Sequence, residues 1–240
     1  MTITSEITKL NTNLEAAYTA VDGKGGTLPQ AQNFDNLAAA ISSIPSGGGG
    51  VTLTRFKDDS NNEIGTYYMD FEDGNGNTYK VVILDAQYRL ASSQWCSRTV
   101  AITNMPLYSN SVSTWWYNAQ ETATANTQLI LDYCSANSYT STSCSHCRSK
   151  SFTINGTTYY GQLPNVRELF EMWCHRADIE SMDTSASSNT SLNFSSARAI
   201  WSSSQYSSSN GWYLSSGGHV TTAGKASNYF ACPVLEIPNS

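Results

Sequence analysis

The sequence predicts an α+β protein: a small helical hairpin followed by a larger domain of short antiparallel strands and two helices. Three observations carry this. Apolar residues near the start recur in steps of four and three, the spacing of one helix face. Further along, alternating apolar and polar runs are separated by Gly/Asn turns, the pattern of hairpins. Between the two stretches lies Ser46-Gly-Gly-Gly-Gly50, a flexible linker composition. The predicted organisation is therefore a module over 1–45, a linker over 46–50 and a domain over 51–240.

Each element has a local reason. Ser5 can cap the first helix, with Glu6 facing the positive end of its dipole. Ile3, Ile7, Leu10, Leu14, Ala17 and Val21 form a heptad seam. Asp22-Gly-Lys-Gly-Gly26 stops that helix, and Pro29 suits the first position of a second. Phe34, Leu37, Ile41 and Ile44 mark the second helix's apolar face, and Pro45 ends it. Two helices this short bury little surface, so self-association through them is expected.

In the larger domain, Val51–Phe56 alternates as a strand. Ile64–Phe71 and Thr78–Leu84 flank Asp73-Gly-Asn-Gly-Asn77 and predict a hairpin. Residues 121–136, with Leu129, Ile130 and Tyr133 on one side, predict a helix. Ser151–Tyr160 carries Asn155-Gly156, a second hairpin signal. Asn165 with Glu168 forms a capping-box pattern ahead of Val166, Leu169, Phe170 and Trp173. Strand-like runs follow at 211–214, 219–222 and 229–237. Between Ser185 and Ser209, 12 of 25 residues are serine, which reads as a loop interrupted by Phe194, Ile200, Trp201 and Tyr206.

Composition narrows the function. Charged residues make up 13%, about half the usual share, and the net charge is −6. That balance lacks the basic footprint of a nucleic-acid binder. No apolar run reaches the roughly 18–20 residues that span a bilayer. Met1-Thr-Ile-Thr-Ser-Glu6 has neither a basic region nor an apolar core, so no secretory signal is expected there. With 3 His and no metalloprotease, P-loop or GxSxG signature, the chain is not expected to be an enzyme.

Three elements in order carry a resemblance. Thr158-Tyr-Tyr-Gly-Gln-Leu-Pro-Asn-Val-Arg-Glu-Leu-Phe-Glu-Met-Trp173 opens a helix with Leu-Pro-x-x-x-Glu-Leu. Ile200-Trp-Ser-Ser-Ser-Gln-Tyr206 leads to Trp212-Tyr213, and Cys232-Pro-Val-Leu-Glu-Ile237 closes the run. From about Tyr67 onward the chain resembles the C-type-lectin-fold domains of bacterial surface proteins and phage tail proteins, some of them variable proteins of diversity-generating retroelements. Residues 9–45 are similar to N-terminal segments of tail and fibre proteins from phages of Gram-positive bacteria. The pairing implies a virion protein, made in the host cytoplasm and acting outside the cell. It implies a trimeric attachment module and a head that binds a bacterial surface protein or glycan. Packing against other virion tail proteins is the alternative, and a Cys-dependent enzyme on the same scaffold a weaker one.

In variable proteins of this fold, the last strands and loops present the diversified surface. The resemblance places that surface at Tyr206, Ser208, Asn210, Tyr213, Ser215, Ser216, His219, Thr221, Thr222, Ser227, Asn228 and Tyr229. The chemistry agrees: Tyr gives stiff amphipathic contact area, while Ser and Asn give adaptable hydrogen bonds. The blander reading leaves the Ser and Thr solvated and packs Tyr213 and Tyr229 inside. Residues 185–235 contain no Asp or Glu, so no calcium is expected in this face. Cys144-Ser-His-Cys147 has the spacing of a zinc half-site, which Cys134 and Cys174-His175 could complete as a structural site. Free thiols or a disulfide are the other readings, and Cys96 and Cys232 read as buried thiols.

Overall fold

A computed structural model describes residues 3–23, 27–42, 52–106, 120–182 and 199–239 of the chain. Two compact units divide at Thr52/Leu53. The linker residues 46–50, with Ile44, Pro45 and Phe194, lie outside the described residues.

The first unit pairs helix α1 (Ile3–Gly23) with helix α2 (Phe34–Ser42). Tyr18, Val21 and Ala40 are buried together, with Leu14, Leu28 and Leu37 packed around them. Tyr18 was not on the expected seam. Its ring fills the interhelical space and its hydroxyl donates to the Asn33 carbonyl at 2.7 Å. Pro29 does not open α2. The Asn33 side chain does, accepting from the Asn36 N–H at 3.0 Å. Phe34, expected on the packed face, is 57% exposed.

The second unit is α+β. One sheet, ordered β1-β2-β3-β11, is antiparallel throughout. It contains β1 (Thr54–Lys57), β2 (Glu63–Glu72), β3 (Thr78–Leu84) and β11 (Val234–Pro238). Asp73 builds the β2–β3 turn by accepting from the Asn75 and Asn77 N–H groups at 2.8 and 2.9 Å. The two inner strands are buried on both faces. Val81 and Ile83 enter one apolar cluster, Val82 and Leu84 the other. Hairpin β5 (Ser151–Ile154) and β6 (Thr157–Tyr160) turns through Asn155 and Gly156, with φ of 50° and 76°. Positive φ at both positions is what a two-residue primed turn requires.

A second sheet runs β4-β10-β7-β8-β9. Its strands are β4 (Leu90–Gln94), β7 (Ile200–Gln205), β8 (Asn210–Leu214), β9 (Val220–Gly224) and β10 (Asn228–Ala231). The expected single run 229–237 is broken: Cys232-Pro233 ends β10, and β11 joins the other sheet. A proline lacks the N–H a continuous ladder needs. The strands are also not purely antiparallel, because β10 meets β7 in parallel at Phe230↔Ile200.

The two expected helices are present as α3 (Ala123–Ala136) and α5 (Val166–Cys174). Two further helices were not expected: α4 (Thr142–Arg148) and α6 (Arg176–Met182). Both are only seven residues long, too short for a periodic pattern to stand out. The capping box forms as read: Asn165 accepts from the Glu168 N–H at 2.9 Å, and Glu168 accepts from the Asn165 N–H at 2.8 Å. Among the described residues no helix is long and apolar enough to cross a membrane.

Candidate functional site

The second sheet carries the candidate face, and β8 and β9 decide which side each residue takes. Tyr213 pairs with Thr221, and Trp212 with Thr222. Successive side chains alternate, so the two pairs lie on opposite faces. Tyr213 belongs to the same cluster as Trp201, Ala223 and Tyr229. Trp212 belongs with Val166 of α5, against which Tyr206 and Val220 also pack.

On the Tyr213 side three rings meet. Trp201 is fully buried and lies 4.7 Å from the Tyr229 ring and 6.1 Å from Tyr213. The two tyrosine rings are 4.5 Å apart at 36°. Trp201 is fixed by its indole N–H, which donates to the Ser93 carbonyl at 3.0 Å. The Ser93 hydroxyl in turn donates to the Tyr229 carbonyl at 2.8 Å. Tyr213 and Tyr229 are both half-buried, so each has one side on the tryptophan and one toward solvent. Burial raises the Tyr229 phenol above its ordinary value, the adjacent Tyr213 phenol adds to this, and a hydrogen bond with Ser227 acts the other way. Tyr213, Thr221, Ser227 and Tyr229 thus form one polar-aromatic patch over a rigid base.

The other expected residues sit elsewhere. Tyr206 stacks edge-on against Trp212 at 5.0 Å, on the α5 side with Thr222. Asn210 starts β8 and is half-buried, while Ser208 is exposed in the β7–β8 loop. Asn228 is exposed beside Gln94. Ser215, Ser216 and His219 occupy the β8–β9 turn at the far end of the hairpin. There the Ser215 hydroxyl accepts from the His219 N–H at 3.1 Å, so it holds the turn. Gly218 has φ of +80° and lies so close to the Trp173 indole that a Cβ would approach it to 2.3 Å. The twelve residues are therefore split over two faces and two ends of one sheet.

Several residues that shape this site were not singled out from sequence. Ser202, Ser203 and Ser204 are fully buried in β7. The Ser204 hydroxyl accepts from the Val166 N–H at 3.0 Å, and the Ser203 N–H donates to the Pro164 carbonyl at 2.7 Å. Lys225 is also fully buried. Its ammonium donates to the Val100 carbonyl at 2.6 Å, to the Ser208 carbonyl at 3.2 Å and to the Gln205 side-chain carbonyl. It also lies 4.5 Å over the Trp95 ring. Three acceptors and a ring face replace the water this charge loses. Burial still pulls its pKa down to about 8. Lys225 joins the β9–β10 turn, next to Ser227 of the patch, to the β7–β8 loop.

Two carboxylates from the resemblance elements also converge. Glu236 of β11 accepts from the Ala123 and Thr124 N–H groups at 2.7 and 2.8 Å, neutralising the start of α3. Glu168 lies beside it. Burial, then the Glu236 charge, push the Glu168 carboxyl well above the usual range, which favours its protonated form. The pair joins α3, α5 and β11 in the interior.

The expected four-cysteine zinc set does not assemble. Cys134, Cys144 and Cys147 share one apolar cluster, whereas Cys174 is exposed at the end of α5. His175, the C-cap of α5, is buried. Among the described residues no group of three or more His, Cys, Asp or Glu could hold a metal ion. Cys144 and Cys147 sit within the short helix α4, with their sulfurs among apolar side chains.

No protein-family model matches the chain, no curated protein matches it, and no solved structure matches it.

Proposed function

We infer that the chain is a receptor-binding protein of a phage tail or fibre, and that its larger unit is a C-type-lectin-like head that binds a bacterial surface molecule without catalysis. The observation that carries this is the patch of Tyr213, Tyr229, Ser227 and Thr221 on the buried Trp201. Two half-exposed phenols on a stiff base offer large contact area at small entropic cost, and the adjoining hydroxyls can reshape their hydrogen bonds to a ligand. The lectin-like reading is supported by the first sheet, where the last strand, β11, returns to pair with β3 near the start of the unit. It is also supported by the meeting of all three resemblance elements in one apolar cluster, through Leu169, Ile200 and Val234.

The first unit would be the attachment module. Assembly of this unit into a homotrimer rests on the resemblance, and the 57% exposed Phe34 is a ring that such an assembly would cover. The protein would then reside in the virion and contact other tail proteins through this module. Residues 199–235, which supply the patch, include no Asp or Glu, which favours a calcium-independent mode of binding.

The test is binding of labelled full-length protein to a panel of bacterial strains, with and without protease or periodate treatment of the cells. Saturable binding to a subset of strains, abolished by one treatment, supports the reading and assigns the receptor as protein or glycan. Absence of binding to every strain, with binding to purified tail proteins instead, contradicts it and favours a structural virion role.

A further inference from the structure

We propose that Cys96 and Cys134 are an oxidative cross-linking site, closed to a disulfide by a small peroxide. Four of the six cysteines, Cys96, Cys134, Cys144 and Cys147, line one apolar cluster, yet they are not equivalent. The Cys134 thiol donates to the Cys96 sulfur at 3.6 Å. A disulfide requires about 2.05 Å, so the two side chains need to close by roughly 1.5 Å between them. Their backbones come from separate elements: Cys96 follows β4, and Cys134 lies in the last turn of α3, 38 residues later. The bond would therefore tie the second sheet to a helix across a long loop.

The surroundings assign the roles. The hydrogen bond from Cys134, then one from the Arg98 N–H and last the nearby Lys225 ammonium, hold the Cys96 thiol below its ordinary value against the opposing effect of burial. The Cys96 N–H donates to the Lys225 carbonyl at 3.1 Å, which keeps the two residues together. Cys134 is pushed up by the same contact and stays a thiol. Burial raises Cys144 to about 12 and Cys147 well above its ordinary value, so neither competes as a nucleophile. Cys96 and Cys134 are 0% and 3% exposed, so a peroxide reaches them more readily than a bulky disulfide reagent.

The chemistry balances in two steps. The Cys96 thiolate attacks one peroxide oxygen, the O–O bond breaks, and the leaving hydroxide takes up the proton Cys96 released. This gives one water and a Cys96 sulfenic acid. The Cys134 sulfur then attacks the Cys96 sulfur, the S–O bond breaks, and hydroxide leaves as water with the Cys134 proton. Two thiols are oxidised and one peroxide is reduced to two waters. Nothing in the step depends on what the binding patch recognises.

The experiment treats full-length protein carrying Cys174→Ser, which removes the exposed thiol, with hydrogen peroxide. Thiols are titrated after denaturation, and the linkage is mapped by mass spectrometry. Chymotryptic cleavage at Tyr139 separates Cys134 from Cys144. Of the five thiols left, two are expected to disappear, in one linked peptide pair containing Cys96 and Cys134. Tm is expected to rise by about 5–10 °C and to return on reduction with dithiothreitol. In Cys134→Ser, Cys96 is expected to stop at the sulfenic acid and to be labelled by dimedone. Retention of all five thiols, a Cys144–Cys147 link, or unlabelled Cys96 in that variant would each overturn the proposal. The linkage map in the Cys174→Ser protein decides alone if the second variant does not fold.

Discussion

Two serine triplets separated by only two residues do opposite things. Ser202-Ser203-Ser204 is wholly buried, whereas Ser208 and Ser209 of the next triplet are exposed. Composition is the same, so the difference comes from the flanking residues. The first triplet lies between Trp201 and Gln205, both buried, in the central strand of its sheet. Small residues fit there because the segment 164–166 packs against the strand, and the Val166 N–H takes the Ser204 hydroxyl as its acceptor. The second triplet lies in a loop whose backbone is held from below by Lys225. Serine here is a small polar residue whose role is set by its partner, and the stretch 202–209 runs from interior to surface.

Substitutions can break or sharpen that contrast. The largest effect is expected from Trp201→Ala, which removes the shared base of both tyrosines and opens a cavity. Urea denaturation should register a loss of about 3–5 kcal/mol. Ser204→Ala comes next, because it leaves the buried Val166 N–H without its acceptor. About 1–3 kcal/mol is expected by the same method. Ser203 sharpens the point: among the described residues its hydroxyl has no hydrogen-bond partner, so Ser203→Ala should cost less than Ser204→Ala.

The pH response is a third expectation. Folding raises the Glu168 pKa well above the ordinary value of 4.5 that holds in the unfolded chain. Stability from this group is therefore fully present below about 4.5 and lost as pH rises through the folded pKa. Glu236 and the buried Tyr68 face it, while Arg167 acts against the shift. Thermal melts between pH 4.5 and 8 should fall for the native protein and flatten for Glu168→Gln. Exposed Asp58 and Asp73 act in the opposite sense, since their turn hydrogen bonds lower their pKa values. What they contribute is lost only as pH falls through those lowered values. The smallest effect belongs to the exposed triplet: Ser208→Ala should change stability by no more than about 0.5 kcal/mol.

Local signals made much of the fold legible. The Asn155-Gly156 turn and the Asn165–Glu168 capping box are short-range patterns, and both formed where the residues stand. What sequence concealed depends on distant partners. Nothing local announces that Lys225 will be buried under three acceptors and a ring, or that Glu236 will face the start of α3. Strand β4 was missed because Leu90-Ala-Ser-Ser-Gln94 has little alternation, and it is held by pairing with β10. Of the candidate site, the residue types were legible but the faces were not. A bulge between Trp201 and Gln205 and the break at Cys232-Pro233 reset which side chains point together. That is why Tyr213 and Tyr229 meet while Tyr206 turns to the opposite face.

The central claim is that binding belongs to the Tyr213–Tyr229 side of this sheet. The most direct measurement compares two folded double variants, Tyr213→Ala with Tyr229→Ala and Tyr206→Ala with His219→Ala, for binding to a strain the native protein recognises. The account predicts that the first pair loses binding by at least about tenfold, as removal of central aromatic contacts does, while the second stays close to native. Equal losses, or a loss confined to the second pair, would contradict it.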